Sequence, residues 1–300
     1  MSMSTHDLMV HAIVAAHSDL ALPDQTTAPV IFSSEAAVYR AAKQACLALG
    51  FIEIDAECVA NAWQAMVKRT GHFSASIWPD EAEDFGMLAW PRQDAFAACP
   101  KKLGLYAVLP DAAWVGRMAR AGVPTVQLRF KSDDRQAIER EICAAVQAVK
   151  GTNALLFIND HWQAAMAAGA YGVHLGQEDM DVADLPAIRA AGLRLGLSSH
   201  GYTEMLLADR FSPSYIALGA VFPTTLKRMI TAPQGTGRLH AYARLMSHYP
   251  LVAIGGIDSS SLPEVLTSGV GSVAVVRALV AADKPEEMAA SLQATLHATS

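Results

Sequence analysis

The run LGLYAVL (103–109) is followed at regular intervals by TVQLRF (125–130), ALLFIN (154–159), GVHLG (172–176), RLGLSS (194–199), YIALGAVF (215–222), LVAIGGI (251–257) and SVAVVRAL (272–279). Each is continuously apolar rather than alternating, which marks a strand buried on both faces in a parallel sheet. Helical stretches follow them at about 111–121, 133–149, 161–168, 182–191, 201–210, 236–247, 259–268 and 285–297. Eight such β-α units close naturally into a (βα)8 TIM barrel. The other α/β solution is an open doubly wound sheet. It would carry G-x-G-x-x-G after its first strand, and that fingerprint is missing.

Working outward, the 300-residue chain is 52% hydrophobic and 17% charged, which argues against long disordered tracts. Its net charge is −6, and no Lys/Arg run exceeds two residues, so an electrostatic footprint for nucleic acid is absent. The charge is uneven. Residues 1–100 hold 5 Lys+Arg against 12 Asp+Glu, a net of −7, whereas residues 101–300 hold 18 against 17, a net of +1. The break divides the chain into a helical N-terminal segment (1–71), an ordered linker (72–100) and the barrel (101–300).

In the first part, Ser33-Ser34 is expected to cap a helix from Glu35 to Leu49 that stops at Gly50. Asp55 is expected to cap a second helix that stops at Gly71. The linker has two Trp-Pro steps, and its Trp78, Phe85, Trp90 and Phe96 are candidates to pack on the barrel. Its acidic run, Asp80 to Asp84, reads as a solvated face. Cys46, Cys58, Cys99 and Cys143 form no CxxC pair and read as reduced, buried thiols. The N-terminus lacks a basic n-region, and the apolar stretches fall short of the ~20 residues a membrane helix needs. A soluble, cytoplasmic protein is expected, with no nucleic-acid or membrane partner and with self-association left open.

The chemistry of such a barrel sits at the C-terminal ends of its strands. On the second strand Gln127, Arg129 and Lys131 share one face by alternation, an arrangement that suits an anion. The third strand ends in Asn159-Asp160 and the fourth in Gly176-Gln177-Glu178-Asp179. Carboxylates at adjacent strand ends are hard oxygen ligands that suit Mg²⁺ together with phosphate and water. As alternatives, Asp160 could cap the helix after it, and Asp181 or its neighbours the next one. The fifth strand ends in Ser198-Ser199-His200. The sixth runs into a long loop, 223–237, with Thr224, Thr225, Lys227 and Arg228. Gly255-Gly256 and Val276-Arg277 end the last two strands, the usual phosphate seat of this architecture. Two anion regions beside a metal point to one substrate with a pyrophosphate and another with a monophosphate. No strong nucleophile is evident, so the protein's task would be to stabilise a departing pyrophosphate.

QLRFK (127–131), ND (159–160), GVHLGQED (172–179), GLSSH (196–200), VFPTTLK (221–227) and VAIGGI (252–257) resemble, in order, the thiamine phosphate synthase family over residues 103 to about 297. The resemblance implies a (βα)8 barrel. Its implied reaction joins 4-amino-5-hydroxymethyl-2-methylpyrimidine pyrophosphate to 4-methyl-5-(2-phosphoethyl)thiazole, giving thiamine phosphate and pyrophosphate. It implies that Gln127, Leu128, Arg129, Phe130 and Lys131 hold the pyrimidine pyrophosphate with Asn159, Ser198 and Lys227. Of these, Arg129, Lys131, Ser198 and Lys227 are implied to serve catalysis, with His200 and Thr225 also in the substrate set. Asp160 and Asp179 are implied as Mg²⁺ ligands, and Thr224, Gly256, Val276 and Arg277 as the thiazole phosphate site.

Two positions depart from the family pattern. Leu226 replaces a second threonine in the sixth loop, a hydroxyl worth about 0.5–1.5 kcal/mol that Thr225 could supply. Arg277 stands where serine is common, and its guanidinium could bind phosphate bidentately. Two other functions are compatible with such a barrel: a thiazole tautomerase-like activity using His200, and a non-catalytic phosphate-binding regulator. A tautomerase has no need of Arg129, Lys131, Asp160, Asp179 and Lys227 together, and a regulator would have lost the carboxylates. Residues 1–100 carry none of these motifs. They are expected to serve docking, oligomerisation or stability, so that a chain beginning near Pro100 would keep substantial turnover if it stays soluble, aggregation through the exposed apolar contacts of the linker being the other outcome.

Overall fold

The computed structural model describes residues 3–22, 30–224 and 231–298. Eight parallel strands form a closed barrel in sequence order. They are β1 (Gly104–Leu109), β2 (Thr125–Leu128), β3 (Leu155–Asn159), β4 (Gly172–Leu175), β5 (Arg194–Ser199), β6 (Tyr215–Leu218), β7 (Leu251–Ile254) and β8 (Ser272–Val275). The barrel closes where Gly104 of β1 pairs with Ser272 of β8. All eight expected strands are present. The runs overshoot β2 and the last three strands, because 129–130, 219–222 and 255–257 lie in the connections above the barrel and 277–279 begin a short helix.

Three helices precede the barrel: α1 (Thr5–Ala16), α2 (Ala37–Ala48) and α3 (Glu53–Thr70). Within the barrel the strands alternate with α4 (Ala112–Arg120), α5 (Arg135–Ala148), α6 (Trp162–Ala168), α7 (Leu185–Ala190), α8 (Tyr202–Arg210), α9 (Gly235–Leu245) and α10 (Leu262–Leu266). A short α11 (Arg277–Val280), which the sequence reading did not anticipate, comes before the closing α12 (Pro285–Ala298). Among the described residues no helix is long and apolar enough to cross a membrane.

The interior below the site is filled by aromatic rings. Tyr106, Phe157 and Tyr215 pack at centroid distances of 5.1–5.9 Å. Glycine in the neighbouring strands makes the room. A Cβ on Gly196 would lie 2.1 Å from the Tyr215 ring, and one on Gly172 would lie 2.5 Å from Phe157. The larger apolar core lies between the strands and their helices and continues into α1–α3.

The N-terminal caps differ from expectation. α2 begins at Ala37 with no side-chain cap, because Ser33 Oγ turns to Glu57 and Tyr39. α3 begins at Glu53, so Asp55 lies inside its first turn and caps a different helix. α1, by contrast, opens with a reciprocal box between Ser4 and Asp7.

The segment from 72 to 100 is irregular but ordered against the barrel. Trp78 Nε1 donates to Tyr202 Oη at 2.8 Å, Phe85 stacks on Tyr202 at 5.4 Å, and Trp90 meets Tyr249 edge-on at 5.0 Å. Phe96 is buried beneath the Arg189 guanidinium. The acidic run is not a simple solvated face. Asp84 is buried and bidentate to Arg69 at 3.0 and 2.5 Å, and Asp80 pairs with Arg244 at 3.2 Å. All four cysteines are free, but only Cys46 is fully buried and Cys143 is exposed.

Candidate active site

The C-terminal ends of the strands border a cavity of about 590 Å³. Gln127 is buried on its wall, and its Nε2 donates to Tyr106 Oη at 3.0 Å. The backbone of Arg129 stays tied to β1, its N–H donating to the Leu109 carbonyl at 2.8 Å. Gln127, Arg129 and Lys131 all line the cavity, as the alternation required. Leu128 and Phe130 fall on the opposite face and pack into the core beneath the helices rather than into the cavity.

Lys131 Nζ lies 2.6 Å from Asp160 Oδ2. Asp160 has a left-handed backbone (φ 62°), pinned by its N–H donating to the His174 carbonyl at 3.0 Å. Such a conformation is costly for a residue with a Cβ, though aspartate tolerates it better than most. Asp160 caps no helix, since α6 starts from His161 without a side-chain bond. Nor does Asp179 or Asp181 cap α7. Asp184 does so, its Oδ1 accepting from Ala187 N at 2.9 Å.

Asp179 ends the short turn Gln177–Asp179, and its Oδ2 accepts from Gly176 N at 2.9 Å. Burial, together with the charges of Asp160 and Glu178, pushes its carboxyl above the usual range despite that bond. The two aspartates thus crowd negative charge at one edge of the cavity, and Lys131 offsets part of it.

On β5, Ser198 Oγ is 2.8 Å from His174 Nε2, and Gln177 Nε2 donates to the Ser198 carbonyl at 2.6 Å. His200 is held by one carboxylate oxygen of Glu204, which accepts from its backbone N–H at 2.8 Å and lies 2.6 Å from its Nδ1. Asn159 and Thr224 also line the cavity, as do Val276 and Arg277. Gly255 and Gly256 both have positive φ, and a Cβ on Gly256 would meet the Pro223 carbonyl at 2.6 Å, so only glycine fits that wall. Thr225 and Lys227, with Leu226 and Arg228, lie outside the described residues.

The sequence reading missed a buried chain of polar groups beneath the cavity. His174 Nδ1 lies 2.7 Å from Tyr215 Oη, which lies 2.7 Å from Tyr106 Oη, which accepts from Gln127. Ser198 and Gln127 are therefore joined through three side chains on β4, β6 and β1. The available signal was His174 itself, a titratable residue within an otherwise apolar strand that shares a face with Gly172.

Residues 105–279 match the model of the thiamine monophosphate synthase family. The chain belongs to this family. It is 53% identical over 199 residues to the thiamine-phosphate synthase of Neisseria meningitidis serogroup B, covering 66% of this chain and 97% of that protein. To that of Yersinia pestis (strain Pestoides F) it is 49% identical over 197 residues, covering 66% and 92%. Among solved structures it resembles thiamine phosphate pyrophosphorylase from Pyrococcus furiosus, with a TM-score of 0.58 and 27% identity over 66% of this chain and 98% of that one. The family match begins at residue 105, so the three N-terminal helices lie outside it.

Proposed function

We propose that the chain joins 4-amino-5-hydroxymethyl-2-methylpyrimidine pyrophosphate to 4-methyl-5-(2-phosphoethyl)thiazole, releasing pyrophosphate and thiamine phosphate. The observation that carries this reading is one cavity lined on one side by Gln127, Arg129, Lys131 and two crowded aspartates. Gly256 and Arg277 line it elsewhere. The first set suits the pyrophosphate and the second the thiazole phosphate.

Asp160 and Asp179 fit a Mg²⁺ ion. They are hard oxygen donors, and a divalent cation would offset both the burial and the neighbouring carboxylates that raise Asp179. Among the described residues no cluster of three or more such ligands occurs, so the remaining positions of the ion would have to be filled by phosphate oxygens and water. When bound, the ion supplies positive charge to the leaving pyrophosphate.

Arg129 and Lys131 neutralise the same leaving group, with Lys131 also holding Asp160 in place. The C–O bond to pyrophosphate breaks with its electron pair on oxygen. The pyrimidine 4-amino group donates towards the resulting CH₂ cation, and the thiazole nitrogen lone pair closes the new C–N bond. Gln127 and Ser198, fixed through the buried chain, orient the pyrimidine. The test is to mix the two substrates and Mg²⁺ with the protein. Thiamine phosphate and pyrophosphate should form in equal amounts, and their absence rejects the reading.

A further inference from the structure

The N-terminal segment grips the barrel at the helix that follows the catalytic end of β5. α8 starts at Tyr202, and Gly201 before it has no side chain to cap it. The cap arrives from α3: Asp55 Oδ1 accepts from Thr203 N at 2.8 Å, across 148 residues of sequence. An acceptor at a helix start satisfies a backbone donor that would otherwise lack a partner, and its charge suits the positive end of the helix. Asp55 is buried, and the contact is close enough that a Cβ on Gly201 would lie 2.0 Å from Asp55 Oδ2.

The next residue of that first turn is Glu204, which holds both the backbone N–H and the ring nitrogen of His200. His200 lines the cavity. A path of direct contacts therefore runs from Asp55 through the first turn of α8 to a side chain at the site. A second grip is found one unit further along. On α9, Arg238 donates to the Leu20 and Leu49 carbonyls, both at 3.0 Å, and Gly237 has Asp19 O where a Cβ would be, at 2.1 Å. The segment thus holds the helices that leave both the β5 and the β6 loops.

We infer that Asp55 is a positioning residue for the reaction: by capping α8 in place of a residue of the barrel, it fixes the Glu204 carboxylate that orients His200. This rests on the proposed reaction for its kinetic readout, but the capping geometry is independent of it.

The experiment uses the full chain. Asp55→Ala should lower kcat/KM roughly tenfold, the effect of one lost cap relayed to the site. The double variant Asp55→Ala, Gly201→Asp puts a carboxylate back at the start of α8 from within the barrel. The Gly201 backbone is extended (φ −178°), so aspartate fits there once Asp55 is gone. This variant should restore most of the loss. In a Glu204→Gln background Asp55→Ala should cost little more, because the two act in series. If Asp55→Ala does not fold, Asp55→Leu, which keeps the branch at Cγ but has no acceptor, carries the same cycle.

The His200 ring signal, read by NMR on histidine-labelled protein, should shift in Asp55→Ala and return in the double variant, whatever the turnover. A wild type that makes no thiamine phosphate rejects the proposed reaction and leaves the NMR arm to decide the positioning role. An unmoved His200 signal, a lowered Tm with unchanged kcat/KM, or additive losses with Glu204→Gln would overturn the inference.

Discussion

The phenol oxygen of Tyr215 lies 2.7 Å from Nδ1 of His174, inside the barrel and directly beneath the cavity. Tyr215 is fully buried, and burial holds its hydroxyl protonated far above neutral pH. It can therefore donate one hydrogen bond and accept another, which links His174 to Tyr106 and through it to Gln127. Tyr215→Phe removes both links while keeping the ring. We predict a loss of about 1–3 kcal/mol in unfolding free energy, the usual cost when a buried hydrogen-bond partner is deleted. A rise in KM for the pyrimidine substrate should accompany it as Gln127 and Ser198 lose their common anchor. Urea unfolding and steady-state kinetics check the two parts separately, and an unchanged KM would confine the chain to a packing role.

The paired charges at the rim make the opposite prediction. Lys131 is more than half exposed, so its ion pair with Asp160 should contribute under ~1 kcal/mol to stability. Its contribution to a departing pyrophosphate is of another order. Lys131→Ala, Asp160→Asn and Asp179→Ala should each lower kcat/KM on the order of 10²–10³-fold with Tm nearly unchanged, asparagine being used at 160 because it tolerates the left-handed backbone there. EDTA should abolish turnover of the wild type, and added Mg²⁺ should restore it. Full turnover in the chelator would reject the metal.

How much of this was legible depends on whether the cause was local. Strands buried on both faces write themselves as apolar runs, so all eight could be counted. Their ends could not, since the apolar runs continue into the loops over β6 and β7 and into α11 after β8. The stripe Gln127, Arg129, Lys131 and the strand-end aspartates were legible because alternation and strand order place them. The Tyr106–Tyr215–His174 chain was not, because a tyrosine inside an apolar run looks like core, and its partners lie on strands far apart in sequence. Asp55 was misread for a related reason: a capping residue was matched to the nearest helix, whereas its true partner, Thr203, is 148 residues away.

Within the N-terminal segment, Glu57 accepts from Lys43 at 2.7 Å, from Ser33 and from Tyr39. Burial acts to raise its carboxyl, but these bonds outweigh it and hold it down to about 2, against an ordinary 4.5. A depressed folded-state value stabilises the fold above the unfolded value. That contribution is lost as the pH falls through the window from 4.5 to about 2. Wild type should therefore exceed Glu57→Gln in stability at pH 7, with the gap narrowing across that window. Denaturant titrations of both proteins at pH 7, 4 and 3 check it. A gap that stays constant would show that Glu57 contributes through shape rather than charge.

Arg238 tests how far the barrel stands alone. It is 3% exposed, with its guanidinium 3.6 Å over the Phe51 ring. Its donors reach Leu20 O, Leu49 O and Gln234 Oε1, so two of its three acceptors belong to the N-terminal segment. Removing residues 1–100 would leave this buried cation without those partners and uncover Tyr202, on which Trp78 and Phe85 rest. Of the two outcomes expected for a chain starting near Pro100, these contacts favour aggregation over a soluble barrel. In the full chain, Arg238→Met should cost about 1–3 kcal/mol, because it takes from the buried Leu20 carbonyl its Arg238 donor, whereas Leu49 O keeps Leu22 N and Gln234 Oε1 keeps Tyr242 Oη. Arg238→Lys should recover only part of that, since one ammonium cannot span acceptors spread around a planar guanidinium. Urea unfolding of the two variants decides the matter. A loss below ~1 kcal/mol for Arg238→Met would mean that aromatic packing alone holds the segment to the barrel.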